Sequence, residues 1–192
     1  MHNPELQSLA RINWQFFCTL TFSRENLSEG RRLSIFFAVM RLQAKNSGVH
    51  FKNLVWCLRR ERGEALGRIH YHAVIAGFPK SFVNKPSCFA TEKIWKSLGG
   101  GHAKVTEYVS SLDGLDYILK GLAQESQPGS LATRYAGDYH ELTKFGESCE
   151  VTLSESCVRV LDGRQSYRTN APSTVRKGQC GNLSSPASML RA

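Results

Sequence analysis

Residues 54–61 and 68–76 read as two strands, and a short polar turn holding Gly63 and Gly67 joins them. That pattern predicts a β-hairpin. No other feature of the chain constrains its fold as tightly, because a one-residue slip would exchange every inward side chain for an outward one. Leu54, Trp56 and Leu58 share one face of the first strand; Ile69, Tyr71, Ala73 and Ile75 share one face of the second. With those faces on the core, the opposite face shows Arg59 and Glu61 beside His70 and His72. One side of the sheet is expected to be apolar and the other polar.

Neighbouring segments extend the pattern. Residues 14–22 alternate as a strand, with Phe16, Cys18, Leu20 and Phe22 facing one way and Gln15, Thr19 and Thr21 the other. Ser28 can cap a helix running to about residue 45, with Leu33, Phe36, Phe37 and Met40 at helical spacing and Gly48 at its end. Residues 87–98 predict a second helix carrying Ile94 and Trp95, which Gly99, Gly100 and Gly101 break before a strand over 102–109. A third helix is expected from Ser110 or Ser111 to about residue 123. The order strand, helix, strand, strand, helix, strand, helix predicts an α+β fold, an antiparallel sheet with two helices on one face.

Beyond residue 124 the pattern weakens. One more strand is expected over 150–161, so 1–123 is read as the core and 124–162 as an extension of the same domain. Residues 163–192 are rich in Ser, Gly, Pro, Arg and Asn and predict a disordered tail. Lys and Arg number 25 against 16 acids, a formal charge of +9, which favours a polyanionic partner through counterion release. The six cysteines form no Cys-x-x-Cys pair, which argues against a zinc knuckle. No uncharged apolar stretch reaches the ~18 residues of a membrane span, and no signal peptide opens the chain, so a cytoplasmic protein is expected. No Gly-x-x-x-x-Gly-Lys-Ser/Thr loop occurs, and with it no ATPase or helicase module.

The chemistry concentrates on the polar face. His70 and His72 are two residues apart on a strand, hence on one side, a spacing that suits chelation of one divalent cation. Glu61 on the paired strand completes an open three-ligand set, with Glu64 in the turn as its rival. On the third helix, Leu112, Leu115, Ile118, Leu119 and Leu122 form an apolar stripe, while Asp113, Asp116, Tyr117 and Lys120 project from the other side. Core packing does not explain Tyr117 there. A phenol with a pKa near ~10 is a poor nucleophile at neutral pH, but a cation that polarises a phosphate lowers the activation it needs. Lys120 can stabilise the developing charge. Tyr108 is the competing nucleophile.

Taken together, Phe17-Cys18-Thr19-Leu20-Thr21-Phe22, Gly67-Arg68-Ile69-His70-Tyr71-His72 and Tyr117-Ile118-Leu119-Lys120 resemble the three ordered motifs of HUH endonucleases. Within that superfamily they most resemble single-tyrosine rolling-circle replication initiators of plasmids and single-stranded DNA phages. The resemblance covers residues 14–123. It implies a ferredoxin-like HUH nuclease core, with the tyrosine-bearing helix beside a metal site of His70, His72 and Glu61 that takes Mg²⁺ or Mn²⁺. It further implies that Tyr117 attacks single-stranded DNA at a replication origin, leaving a 3′ hydroxyl primer and a 5′ phosphotyrosine. Thr19, Thr21, Arg59 and Arg68 are the expected DNA contacts, and a host helicase and polymerase the further partners. Position 113 is Asp and position 121 is Gly, so the second tyrosine that some phage initiators carry is absent one turn to either side. An HUH-type transposase is the alternative within the superfamily. A non-catalytic single-strand binder with the same sheet-and-helix arrangement is the alternative outside it, although such modules stack bases on exposed aromatics and the face inferred here carries Thr19, Thr21, Glu61, His70 and His72.

Overall fold

The computed structural model describes residues 3–63, 67–123, 129–144 and 147–164. In chain order these form α1 (Gln7–Ala10), β1 (Phe16–Phe22), α2 (Glu29–Asn46), β2 (Val55–Arg62), β3 (Ile69–Ala76) and α3 (Lys85–Ser97). Then follow β4 (Gly100–Glu107), α4 (Gly114–Ile118), β5 (Leu131–Tyr135), β6 (His140–Lys144), β7 (Glu147–Leu153) and α5 (Glu155–Leu161). All seven strands join one antiparallel sheet in the order β4-β1-β3-β2-β7-β6-β5. The architecture is α+β, compatible with the HUH nuclease-like core expected from the sequence. Among the described residues no helix is long and apolar enough to cross a membrane.

Local signals account for the helix starts. Ser28 caps α2 by accepting a hydrogen bond from the Arg31 amide, and Asn84 caps α3 through the Ser87 amide. Each such cap stabilises its helix by ~1 kcal/mol. The two helices lie on one face of the sheet, over a core of Phe16, Cys18, Leu20, Phe36, Trp56 and Tyr71 with Trp95 of α3. Trp95 is fully buried, and its indole N–H donates to the Thr21 carbonyl at 2.8 Å.

The opposite face departs from the expectation of a wholly polar surface. Val55, Cys57, Val74 and Ala76 point there and are fully buried beneath a second core. That core is assembled from Leu6 and Leu9 of the N-terminal segment, Trp14, the leucines around α4, and Val158 and Val160 of α5. The reason is visible in β3, where Ala73-Val74-Ile75-Ala76 is a continuous apolar run, the mark of a strand covered on both sides. Only the hairpin's other end, toward its turn, keeps a polar face. The side chain of Asn3 donates to the Leu122 carbonyl and ties the N-terminal segment to the chain after α4.

Three further expectations are revised. The third helix does not run from 110 to 123: a 3-10 turn over Ser110–Leu112 is followed by Asp113 at φ 50°, and α4 spans only Gly114–Ile118. The left-handed residue breaks the helical phase, so Leu112 is 75% exposed instead of lying on the apolar stripe. The strand expected over 150–161 is β7 and then α5, divided at Ser154, whose hydroxyl accepts from the Cys157 amide as an N-cap. The hairpin β5–β6 is an addition to the expected elements; its first strand is exposed along most of its length and lacks the apolar alternation that marks the others. Cys18, Cys57, Cys88 and Cys157 are buried free thiols. Except for Gly163 and Arg164, the expected tail lies outside the described residues, as does Glu64.

Candidate metal and nucleophile site

Strand register arranges the polar residues as a grid. Across β1, β3 and β2, one row reads Thr19, His72, Arg59 and the next Thr21, His70, Glu61. Because β3 lies between the other two strands, both histidines project from the middle of the sheet with partners on either hand. Glu61 Oε2 stands 3.5 Å from His70 Nε2 and 3.4 Å from His72 Nε2. The ligand-capable atoms of the three residues all lie within 4.8 Å of one another.

Each imidazole is oriented from behind. His70 Nδ1 lies 3.3 Å from the Arg68 carbonyl. A carbonyl only accepts, so Nδ1 is the donor in this contact and Nε2 is left facing Glu61. His72 Nδ1 lies 3.2 Å from the Thr19 hydroxyl, and the ring of Phe17 packs against it with centroids 6.1 Å apart. Burial, with the positive charges of His70 and Arg59, pulls the His72 pKa down to about 4 against the pull of Glu61, so the ring is neutral at neutral pH. Burial would raise the Glu61 pKa, but the Tyr117 hydrogen bond and the charges of His72, Arg59 and His70 outweigh it and lower the carboxyl. Two imidazoles and a carboxylate are a suitable donor set for a divalent cation. His72 Nε2 is also buried without a hydrogen-bond partner among the described residues, a costly state for a polar atom unless something coordinates it.

Tyr117 completes the cluster. Its hydroxyl donates to Glu61 Oε2 at 2.6 Å, and its ring meets that of His72 edge-on with centroids 4.9 Å apart. The side chain is 40% exposed. Tyr108, the other nucleophile considered, is half-buried against the second core, and burial pushes its phenol up.

The remaining site residues fall in different places. Lys120 is exposed, but it lies past the end of α4, in the turn where its amide donates to the Tyr117 carbonyl at 3.3 Å. Arg59 reaches under α4: its guanidinium donates to the carbonyls of Ile118 at 3.2 Å and Lys120 at 2.6 Å. The Thr21 hydroxyl donates to the His102 carbonyl of β4. Arg68 projects from the hairpin's turn and pairs with Glu25 at 2.5 Å. The structure thus brings together Glu61, His70, His72 and Tyr117, supports them with Thr19 and Arg59, and leaves Thr21, Arg68 and Lys120 at the margins.

Two contributors are not singled out by sequence. Phe17 stands there only as part of a motif, and Gly114 not at all. A Cβ on Gly114 would lie 2.9 Å from Phe17 Cδ2 and 3.2 Å from Tyr108 Cε2, so only glycine lets α4 approach β1 this closely. The αL conformation of Asp113 immediately before it is a local signal beyond the reach of helical periodicity.

Comparison with known families agrees with this geometry. The family described as replication-associated protein ORF2 matches residues 15–125, the span that holds every residue of the cluster. No curated protein and no solved structure matches the chain significantly.

Proposed function

Because the chain belongs to the replication-associated protein ORF2 family, we propose that it starts DNA replication by nicking one strand at an origin and becoming joined to it through Tyr117. The observation that carries this reading is the 2.6 Å hydrogen bond from the Tyr117 hydroxyl to Glu61, a carboxylate that also faces both histidine Nε2 atoms. Nothing in ordinary core packing calls for a partly exposed phenol in that position.

In this mechanism His70, His72 and Glu61 would hold Mg²⁺ or Mn²⁺. A bound cation would polarise the scissile phosphate and offset the charge that builds on it. The chain's own residues do the rest. Thr19 and the Arg68 carbonyl keep the imidazoles turned toward the ligand position. Glu61 orients the phenol, and Arg59 holds the turn that carries it. Tyr117 Oη bonds to phosphorus as the P–O3′ bond breaks, and the phenolic proton ends on the departing oxygen as a 3′ hydroxyl. One phosphodiester is exchanged for another of similar energy, so the same residues can rejoin the strand. Lys120, on the exposed side of the turn, offers positive charge to the phosphate. With no second tyrosine one turn away, a second protomer or water resolves the adduct. The 3′ hydroxyl suits extension by a host polymerase, with a host helicase parting the strands ahead of it.

The family match favours a replication role over transposition, and the acid–imidazole–phenol cluster favours catalysis over passive binding. The test is direct. Protein incubated with Mn²⁺ and cleavable single-stranded DNA should yield a denaturation-resistant adduct on the 5′ side of the break, with the nucleotide on Tyr117 by mass spectrometry. Tyr117→Phe should bind DNA without forming it. An adduct on Tyr108, or an undiminished adduct in the Tyr117→Phe protein, overturns the assignment.

A further inference from the structure

The strand that carries Glu61 toward the histidines turns Arg60 and Arg62 to the other face of the sheet, where they pair with Tyr71 and Ile69 of β3. There, with Arg32 of α2 and Arg68 of the hairpin's turn, they line a cavity of about 370 Å³ together with Glu25 and Asn26. Among the described residues, four guanidinium groups and one carboxylate line this space. Arg32 is only 8% exposed. Its Nη2 donates to the Glu25 carbonyl at 2.7 Å, and Glu29 stands 3.6 Å from Nη1. Glu29 is shared further, since it also pairs with Arg60 at 3.3 Å and accepts from the Tyr71 hydroxyl. Arg60 takes a second acid, Glu150, at 2.8 Å. Even so, the Nε atoms of both Arg32 and Arg60 are buried without a hydrogen-bond partner among the described residues. Arg62 donates to the Gly67 carbonyl at 2.9 Å and pairs with no carboxylate among the described residues.

Unmatched buried donors are unfavourable, and guanidinium forks match phosphate oxygens in geometry as well as charge. We propose that this arginine cleft binds a backbone phosphate of the DNA strand, so that the strand passes around the hairpin's turn from the tyrosine face to the arginine face. The proposal rests on the reading that the chain acts on single-stranded DNA. A diester is favoured over a free nucleotide because, among the described residues, no aromatic ring lines the cavity to stack a base. The lining reads charge and not sequence. It therefore supplies affinity and path, while selection of the cleavage position is left to the other face.

The test uses full-length protein and a fluorescent single-stranded oligonucleotide in excess chelator, where no adduct forms and the outcome is independent of Tyr117 chemistry. Arg62→Gln should weaken binding about three- to tenfold and reduce the slope of log K against log salt by about 0.7, the loss of one phosphate contact on a single strand. Arg62 is exposed, so its replacement leaves the fold in place. Glu25→Gln frees Arg68 from its ion pair and should strengthen binding and steepen that slope, the opposite of what damage to the fold would produce. Unchanged affinity and slope in both variants overturn the proposal. So does ATP displacing the oligonucleotide with matching affinity, which would assign the cleft to a free nucleotide. If wild-type protein forms no Tyr117 adduct while Arg62→Gln still lowers the slope, the nicking mechanism fails and the cleft stands.

Discussion

Tyr117 and Glu61, separated by 56 positions in the chain, meet in a 2.6 Å hydrogen bond. One lies on a five-residue helix and the other on a sheet strand, and nothing local to either forces them together. The phenol is held by the same carboxylate that faces both imidazoles, so the proposed nucleophile and the proposed ligand set are one cluster. Changes to either half should be felt by the other.

His70→Ala and His72→Ala should each lower adduct formation at least ~100-fold, since loss of a supporting residue alone commonly costs metal sites 10–100-fold. DNA affinity in chelator should stay within about threefold, because phosphate contacts come from the basic surface. Chelation of wild-type protein should reproduce the defect, and Mn²⁺ or Mg²⁺ should reverse it. Glu61→Ala should weaken metal binding, measured by calorimetry, more than Glu64→Ala does. Full cleavage in excess chelator contradicts the metal-dependent mechanism, and the reverse order of the two glutamates moves the third ligand into the turn.

Arg59 is expected from sequence to contact DNA, yet its guanidinium donates to the Ile118 and Lys120 carbonyls beside Tyr117. A lysine cannot make the same paired contact. Arg59→Lys should therefore slow adduct formation at saturating DNA by roughly 10- to 100-fold, the scale of a small misplacement of a reacting group. Its DNA affinity should remain within about twofold. A loss of affinity with an unchanged saturating rate would return Arg59 to a DNA-binding role.

Gly114→Ala forces a methyl group against Phe17 and Tyr108. Overpacking of this kind costs ~1–3 kcal/mol, which calorimetry would record as a lower Tm. Because Phe17 also packs on His72, the variant should lose nicking by more than its stability loss explains. A stable, fully active Gly114→Ala protein would show that the close approach is dispensable.

Alternation exposes the central hairpin because β2 and β3 carry their polar residues in phase near the turn, which also brings Glu61, His70 and His72 to one face. The same reasoning misses the second core. The covering residues Leu6, Leu9 and Val160 come from the two ends of the described chain, and no local period links them to Val74. It also overextends the tyrosine helix, since 3.6-residue spacing continues through Asp113 on paper while the backbone there turns left-handed. Arg59 is legible by its charge alone. Its acceptors are main-chain carbonyls, which have no signature in side-chain identity.

β3 is hydrogen-bonded on both edges, by β1 and β2, whereas α4 is one short turn held by its apolar underside and by Arg59. Amides in such a central strand exchange with solvent only when the whole molecule opens, while a single helical turn can open on its own at far lower free energy. The histidines and the tyrosine therefore belong to units of different cooperativity. Warming should release the Ile118 and Leu119 amides to deuterium well before those of Tyr71 and Ala73. Over that interval the protein would still present its imidazole pair while having lost the alignment of its nucleophile. Its thermal limit as a catalyst would then lie below its melting temperature, set by one short helix and not by the sheet.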